Sequence, residues 1–443
     1  MEQTLKGRKA AVAGWCLYDW AMSAFNTVIG TFVFSVYFTK GVAADPDSAS
    51  ADWAFMLGLS GLAIAVLSPL LGAIADKGGR IKPWLGGFTA IAVAGAALLW
   101  FVRPDPSYVL LALVIVGVAS TAFELANVFY NALLPGIAPP SHLGRVSGWG
   151  WGTGYIGGLL SLMGCLLLLL QTDTPLFGLL DKADAAPVRA TSVLVALWYG
   201  LFALPLFLLV PDRPGNAAPL GQIVRDGLAT LGRTLRALPG HGNLLRFLVA
   251  SALWRDGINT ITAFGGIYAG IIFGMTEAQL ILFAILLNVS AGLGAIGFAW
   301  LDDRIGAKPT LIISIIGLIL SGAGLIAIGT PAWGWAPALN LPLDFTPDQQ
   351  WLLLLGLVLG CFFGPAQAAA RSMMARLAPA GLETEFFGLY ALTGRAVGVL
   401  GPLFYGLAVS LFATRRAGMG TVVVLFLLGL GLLLLVREPG RQG

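Results

Sequence analysis

Charged side chains are scarce in this chain of 443 residues. Asp, Glu, Lys and Arg together make up 11% of the sequence, whereas soluble domains carry about 25%. Hydrophobic residues account for 57% of the positions. Because so few charges cannot cover a water-facing surface, the composition excludes a soluble globular protein and indicates a chain that crosses a membrane several times.

The residue types that build metal and nucleophilic sites are equally rare. The chain has 2 His and 3 Cys. His142 and His241 fall between the apolar runs, whereas Cys16, Cys165 and Cys361 lie inside them and read as small core residues. No metal-ligand spacing and no Ser/His/Asp or Cys/His arrangement occurs in the sequence. We therefore expect no metal, no cofactor and no enzymatic activity.

Basic residues are concentrated in loops on one side of the apolar runs. The net charge is +4, and most of the 26 Lys and Arg residues fall on the side that includes the N-terminal tail. The positive-inside rule then places both termini in the cytoplasm, as expected for a protein of the bacterial inner membrane. Since these charges record topology, we expect no nucleic-acid partner.

Twelve apolar runs are long enough to cross a bilayer, which takes about 20 residues of helix, and they are too long for the strands of a barrel. The first run begins like a signal peptide, but Asp19 interrupts it and it extends to Phe38. It is therefore too polar and too long for a cleaved signal, and we interpret it as the first spanning helix. We predict an all-α polytopic membrane protein with twelve transmembrane helices at 11–38, 53–75, 83–102, 107–134, 146–170, 191–210, 244–273, 277–301, 309–328, 350–375, 385–413 and 418–436.

The longest inner loop divides these helices six and six. We therefore predict an N-terminal bundle over 1–210, a cytoplasmic linker over 211–243 and a C-terminal bundle over 244–443. Apolar residues recur in the linker at helical spacing with arginines opposite, which indicates an amphipathic helix on the inner membrane surface; a simple connection between the halves is equally compatible. The apolar positions are Ile223, Leu228, Leu231, Leu235 and Leu238.

Three pairs of segments match between the halves, in the same order and at nearly constant spacing. Each match is weak alone, but together they indicate a duplicated six-helix unit and thus two pseudo-symmetric bundles. Asp19 falls over Asp256, and Asp76 over Asp303. The pairs are YDWAMSAF (18–25) with RDGINTIT (255–262), GAIADKGGRIKP (72–83) with AWLDDRIGAKP (299–309), and APPSHLGRVSGWGWGTGYIGG (138–158) with APAGLETEFFGLYALTGRAVG (378–398).

Duplicated six-helix halves with an inner linker resemble the major facilitator transporters. The loop around Asp76 also resembles the signature of that superfamily between helices 2 and 3. Its glycines permit a tight turn, and Asp76 can face a helix N-terminus or a cation and so latch an inner gate. The alternative is a basic loop that only fixes topology. The candidate gating residues in the two copies are Asp76, Gly79, Arg80, Asp303, Arg304 and Gly306.

Four segments resemble one branch of that superfamily, the vacuole-effluxer-like transporters, typified by the autophagy-related vacuolar amino-acid exporters and their bacterial relatives. The segments are YDWAMSAF (18–25), FYNALLP (129–135), VSGWGWGTGYIGG (146–158) and FFGLYALTGRAVGVLGPL (386–403). The resemblance implies a secondary transporter that works by alternating access on small polar or zwitterionic solutes such as amino acids. Two positions depart from the pattern: Met22 stands where the family usually has Asn, and Arg395 where relatives often have Lys.

In major facilitator folds, helices 1, 4, 7 and 10 line the central cavity. Polar residues of these helices fall at helical spacing, and the ionisable ones lie about 15 Å deep at ~1.5 Å per residue. We expect them, with one arginine of helix 11, to bind the solute, although single residues can instead tie helices together. The candidates are Asp19, Ser23, Asn26, Glu124, Asn127, Asn131, Arg255, Asp256, Asn259, Gln367 and Arg395.

Chemistry assigns roles within this set. Arg255 or Arg395 is suited to a bidentate grip on a substrate carboxylate. A desolvated Asp19, Glu124 or Asp256 is suited to carry a coupling proton. The expected partners are a small-molecule solute, H⁺ as coupling ion and the lipid bilayer, and we expect a monomer. Two alternatives stay open: a major facilitator carrier of a sugar, drug or lysolipid, and a membrane sensor or scaffold.

Overall fold

The structure is a computed structural model that describes residues 5–339 and 344–438, and helices account for nearly all of this part of the chain. Eleven helices within it are long and apolar enough to span a membrane. A further helix of 32 residues, whose polar residues lower its hydropathy, completes the predicted twelve. They are α1 Lys9–Val42, α2 Pro46–Gly78, α3 Lys82–Phe101, α4 Pro106–Ile137, α5 Pro140–Leu170, α6 Ala183–Leu209, α7 Gly242–Phe273, α8 Glu277–Ile305, α9 Ala307–Ala327, α10 Pro347–Leu377, α11 Glu383–Phe412 and α12 Arg415–Leu434.

Local capping fixes where several of these helices begin. Asp45 accepts a hydrogen bond from Ser48 N at 2.9 Å, and Pro46 occupies the first turn of α2, where its missing N–H costs nothing. The contacts with Ser48 lower the pKa of the Asp45 carboxyl. Helix α2 therefore begins at Pro46, well before the predicted position 53. Thr276 and Gln279 form a reciprocal capping box at the start of α8.

Several helices depart from regular α geometry, among them α1 and α11. Helix α1 contains π-helical segments at Phe25–Phe32 and Phe38–Val42, and such segments occur often at functional sites. Helix α11 consists of two segments, Glu383–Val397 and Leu400–Phe412, separated by two residues. Both irregularities fall in helices that carry predicted site residues.

A separate helix, Leu220–Ala237, which we call the linker helix, lies between α6 and α7. Gly227 lies against the end of α2, because a Cβ there would come within 2.8 Å of Ile74 Cα. Leu228 and Leu235 are 43% and 47% exposed. A helix is thus present in this loop, and its amphipathic role on the inner membrane surface stays a prediction.

The chain divides into two compact units. Unit 1 comprises Met1–Pro139, Thr153–Gly232 and Ala378–Ala391; unit 2 comprises Pro140–Gly152, Arg233–Leu377 and Leu392–Gly443. Helices α5 and α11 therefore each contribute residues to both units. The domain limits predicted at 210 and 244 from the sequence stay a prediction.

Candidate functional site

In unit 1, the carboxylate of Asp19 lies beside a stack of aromatic rings. Tyr130 Oη is 3.1 Å from Asp19 Oδ2 and 3.1 Å from Trp15 O, and its single proton can be donated to one of them. The Tyr130 ring stacks on Trp15 at 4.5 Å and on Tyr18 at 5.0 Å. Asp19 is 8% exposed, so its neighbours in the chain cover most of it.

Helix α5 approaches α1 closely at the level of Asp19. A Cβ on Gly154 would lie 2.9 Å from Ser23 Oγ and 3.3 Å from Asp19 Oδ1. The Ser23 hydroxyl donates to Asp19 O at 2.8 Å. A Cβ on Gly157 would lie 2.5 Å from Trp20 O. At position 157 glycine is required because the backbone of α1 lies directly against it, and at position 154 a side chain would crowd Ser23 and Asp19.

Helix α4 presents its polar residues as one row. Glu124, Asn127 and Asn131 are half-buried, whereas the residues between them are buried. Asn131 Nδ2 donates to Asn127 Oδ1 at 3.0 Å. A hydrogen-bonded row on the least covered face of a helix can offer donors and acceptors to a polar solute.

In unit 2, the two neighbouring charges of α7 point to different surroundings. Asp256 is 1% exposed, and its Oδ2 accepts a hydrogen bond from Gly401 N at 2.7 Å. Arg255 is half-buried, and a Cβ on Gly394 would lie 3.0 Å from its Nη1. Both side chains thus contact α11, one at each side of the interruption in that helix.

The remaining predicted residues are less enclosed. Asn26, Asn259 and Arg395 are exposed, and Gln367 is half-buried on α10. Six of the predicted binding residues, Asp19 to Asn131, belong to unit 1, and the other five belong to unit 2. Their convergence on one cavity stays a prediction.

The predicted gate residue Asp76 is the centre of a charge network in unit 1. Its side chain is fully buried and forms an ion pair with Arg213 at 3.4 Å. It also accepts hydrogen bonds from Thr384 N at 3.2 Å and Glu385 N at 2.8 Å, at the start of α11. Arg213 also pairs with Glu383 at 2.8 Å. Asp76 therefore faces both a helix N-terminus and a cation.

Asp303, which the sequence repeat aligns with Asp76, has similar contacts in unit 2. It accepts a hydrogen bond from Arg145 N at 3.1 Å, at the start of α5, and pairs with Arg145 Nε at 3.2 Å. Its neighbour Asp302 pairs with Arg376 at 2.7 Å and accepts a hydrogen bond from the Ser372 hydroxyl. Asp76 holds the start of α11 and Asp303 holds the start of α5, so the duplication extends to these contacts.

The glycines of the two loops are conformationally required. Gly79 has φ +81 and Gly306 has φ +105, which disfavour any residue with a Cβ. A Cβ on Gly79 would also collide with Pro214 O. Of the remaining loop candidates, Arg80 lies beside Gly215, whose Cβ would be 2.9 Å from Arg80 Nε, and Arg304 is exposed.

Sequence reasoning missed a second repeated contact next to these loops. Asp212, after α6, accepts from Lys82 N at 3.3 Å, and Lys82 Nζ donates to Val210 O at 2.7 Å. Glu438, after α12, accepts from Lys308 N at 3.1 Å, and Lys308 Nζ donates to Leu434 O at 2.9 Å. The signal was present as LLVPDRPG (208–215) and LLVREPG (434–440).

It also missed the charged residues of the ion-pair networks around the two gate aspartates. Apart from Asp302, which adjoins Asp303 on α8, these residues lie on other helices or in the segments after α6 and α12, and only the fold brings them close. They are Arg145, Arg213, Asp302, Arg376, Glu383 and Glu438.

Comparison with known proteins agrees with this architecture. The chain is 29% identical to the uncharacterized MFS-type transporter YxiO of Bacillus subtilis, over 96% of this chain and 94% of that protein. It is 26% identical to autophagy-related protein 22 of Coccidioides immitis, over 86% of this chain and 71% of that protein.

Solved structures show the same fold. The proton:xylose symporter XylE matches with a TM-score of 0.68 at 14% identity, covering 96% of this chain and 95% of XylE. The major facilitator superfamily transporter FucP, in the outward conformation, matches with a TM-score of 0.70 at 13% identity, covering 97% of this chain and 99% of FucP. The predicted all-α fold with two six-helix bundles is thereby confirmed.

The family described as "Vacuole effluxer Atg22 like" matches this sequence over residues 36–441, which is nearly the whole chain. The resemblance seen in the four sequence segments is confirmed. The chain belongs to the Atg22-like vacuole effluxer family and is a transporter of the major facilitator superfamily.

Proposed function

We propose that this transporter carries small polar or zwitterionic solutes, amino acids foremost, across the bacterial inner membrane, driven by protons. The observation that carries the proposal is the row of Glu124, Asn127 and Asn131, the least covered positions of a helix that is otherwise buried there. Hydrogen-bonding side chains inside a membrane bundle are costly and are typical of a solute pathway. An arginine of unit 2, Arg255 or Arg395, supplies the cation for a carboxylate.

The two aspartate networks act as gates in this proposal. Asp76 with Arg213 holds the start of α11, and Asp303 with Arg145 holds the start of α5. Each network must open and re-form in every cycle if solute passes from one side to the other by alternating access. Asp76 and Asp303 form ion pairs, which supports a gating role for their loops over a role that only fixes membrane topology.

Reconstituted liposomes test the substrate and the driving force together. Purified protein is incorporated in vesicles and supplied with labelled amino acids, with xylose as a neutral comparison solute, with and without a pH gradient. We expect saturable accumulation of at least one amino acid, increased by the gradient and abolished by a protonophore. Uptake of xylose alone contradicts the amino-acid proposal, and uptake that ignores the gradient contradicts proton coupling.

A matched pair of variants links the assay to the site. Asn127→Ala removes the acceptor of the Asn131 amide, so we expect a raised KM for the transported solute. Asn288→Ala removes a side chain on α8 that, among the described residues, bonds its own helix through Ala284 O at 2.8 Å. Equal kinetics in the two variants would remove the α4 row from the binding site.

A further inference from the structure

The interruption of α11 in unit 2 faces a buried carboxylate. Amides in the first turn of a helix have no partner inside that helix. In the second segment, Leu400–Phe412, the amide of Gly401 donates instead to Asp256 Oδ2 at 2.7 Å. Asp256 therefore caps this segment from the neighbouring helix α7, with a charge of the sign that a helix N-terminus favours.

The other carboxylate oxygen of Asp256 is not used. Oδ1 has no hydrogen-bond partner among the described residues, and the residue is 1% exposed. A Cβ on Gly401 would lie 3.1 Å from both oxygens and would collide with Thr260 Oγ1. The surroundings are thus closed to a larger group. An ionised oxygen without a partner in such surroundings is unfavourable, and a proton on it removes the charge.

The helices packed on α7 bring little countercharge to this carboxylate. Arg255, next to Asp256, has its guanidinium against Gly394. The apolar middles of α8 and α12 carry no ionisable side chain. On the other helices packed on α7, the ionisable side chains near the middle of the helix are Cys361 on α10 and Arg395 and Tyr405 on α11.

We propose that Asp256 is a proton-binding site whose occupancy controls the interruption of α11. The ionised carboxylate holds the first turn of the second segment through a charge-assisted hydrogen bond. Protonation removes the charge, weakens that bond and lets the segment move relative to α7. The inference rests on the proposed proton-driven transport and assigns its carrier to Asp256 rather than to Asp19 or Glu124.

Hydrogen–deuterium exchange measures how protonation of Asp256 affects the second segment of α11, and it needs no solute. The purified full-length protein in detergent is compared at acidic and alkaline pH, after correction for intrinsic exchange rates. We expect the amides at the start of the second segment to exchange about tenfold faster at acidic pH, the worth of one hydrogen bond to a charged group. Asp256→Asn should show the fast exchange at every pH.

Two glycine variants of the same segment provide the matched comparison. Gly401→Ala brings a Cβ against Thr260 and the carboxylate, so we expect fast exchange that does not depend on pH. Gly406→Ala, whose Cβ would enter open space, should keep the wild-type pH profile. Asp19→Asn and Glu124→Gln should also keep it, because neither residue caps this segment.

The inference is overturned if wild-type exchange in this segment ignores pH, or if Asp256→Asn keeps the pH profile. An exchange change on adding Na⁺ at constant pH, with K⁺ as control, would replace the proton by an alkali cation and overturn it too. Liposome transport separates the two proposals. If the exchange profile depends on pH but transport does not depend on the pH gradient, proton coupling is refuted and the proton-binding site at Asp256 stands. Gradient-driven transport in Asp256→Asn refutes Asp256 as carrier and leaves the proposed function.

Discussion

Asp19 illustrates how magnitudes separate structural from functional reasons for a single residue. A carboxylate at the centre of a membrane helix costs about 2.5 kcal/mol or more on insertion scales. Hydrogen bonds between membrane helices contribute ~0.6 kcal/mol on average and ~1.7 at most. By itself, the contact with Tyr130 therefore offsets only part of the cost, and the further interactions of Asp19 contribute to the rest.

Removing the Tyr130 hydroxyl tests how much its hydrogen bond to Asp19 contributes to stability. We expect Tyr130→Phe to lower the free energy of unfolding by about 1 kcal/mol, since one interhelical hydrogen bond is lost while the ring stack stays. The measurement is reversible unfolding in mixed micelles. Tyr108→Phe, near the start of the same helix α4, is the control and should change little. Equal destabilisation by both variants would show that the Tyr130 hydroxyl contributes nothing specific.

At the scale of helices, Arg213 joins two elements that the sequence separates widely. It pairs with Asp76 near the end of α2 and with Glu383 at the start of α11. The side chain of Asp76 is fully buried and that of Arg213 is 26% exposed. We therefore expect the energy of this pair to lie between the values for surface and for buried ion pairs. Removing one partner leaves a buried charge, which is the costly case.

Arg213→Ala should therefore loosen both helix ends. Between the surface and buried limits we expect a local loss of about 2 kcal/mol, because Asp76 keeps its two amide donors. Hydrogen exchange of residues 72–78 and 383–391 measures the opening. Arg225→Ala, an exposed arginine of the linker helix, is the control. Faster exchange confined to residues around 213 would contradict a role in joining α2 and α11.

At the scale of the whole molecule, patterns with a period were predictable and single contacts were not. Twelve apolar runs predicted twelve helices, and the repeat aligned Asp76 with Asp303. The interruption of α11 was not predicted, because apolar composition continues through Gly398 and Val399. The contact of Asp212 with the start of α3 was also not predicted, because the matching segments LLVPDRPG and LLVREPG mark equivalent positions in the two halves but do not show which residues lie close to them. Helix α2 began earlier than predicted because the cap at Asp45 outweighs the local polarity.

The predicted orientation of the whole molecule in the membrane can be tested in a single experiment. The cation distribution predicts that the loop containing Asp47 lies outside and that the linker helix lies in the cytoplasm. Both Asp47 and Arg225 are exposed, so each can be replaced by cysteine. Cys16 and Cys165 are buried and Cys361 is half-buried, which keeps background labelling low.

A membrane-impermeant maleimide on intact spheroplasts then separates the two sides. We expect Asp47→Cys to be labelled at once and Arg225→Cys only after lysis, because the reagent does not cross the bilayer. Wild-type protein gives the background from the native cysteines. The opposite pattern would reverse the topology and place the two aspartate networks at the outer face. Their role as inner gates would then fail even if transport itself were demonstrated, so this measurement should precede any assignment of transport direction.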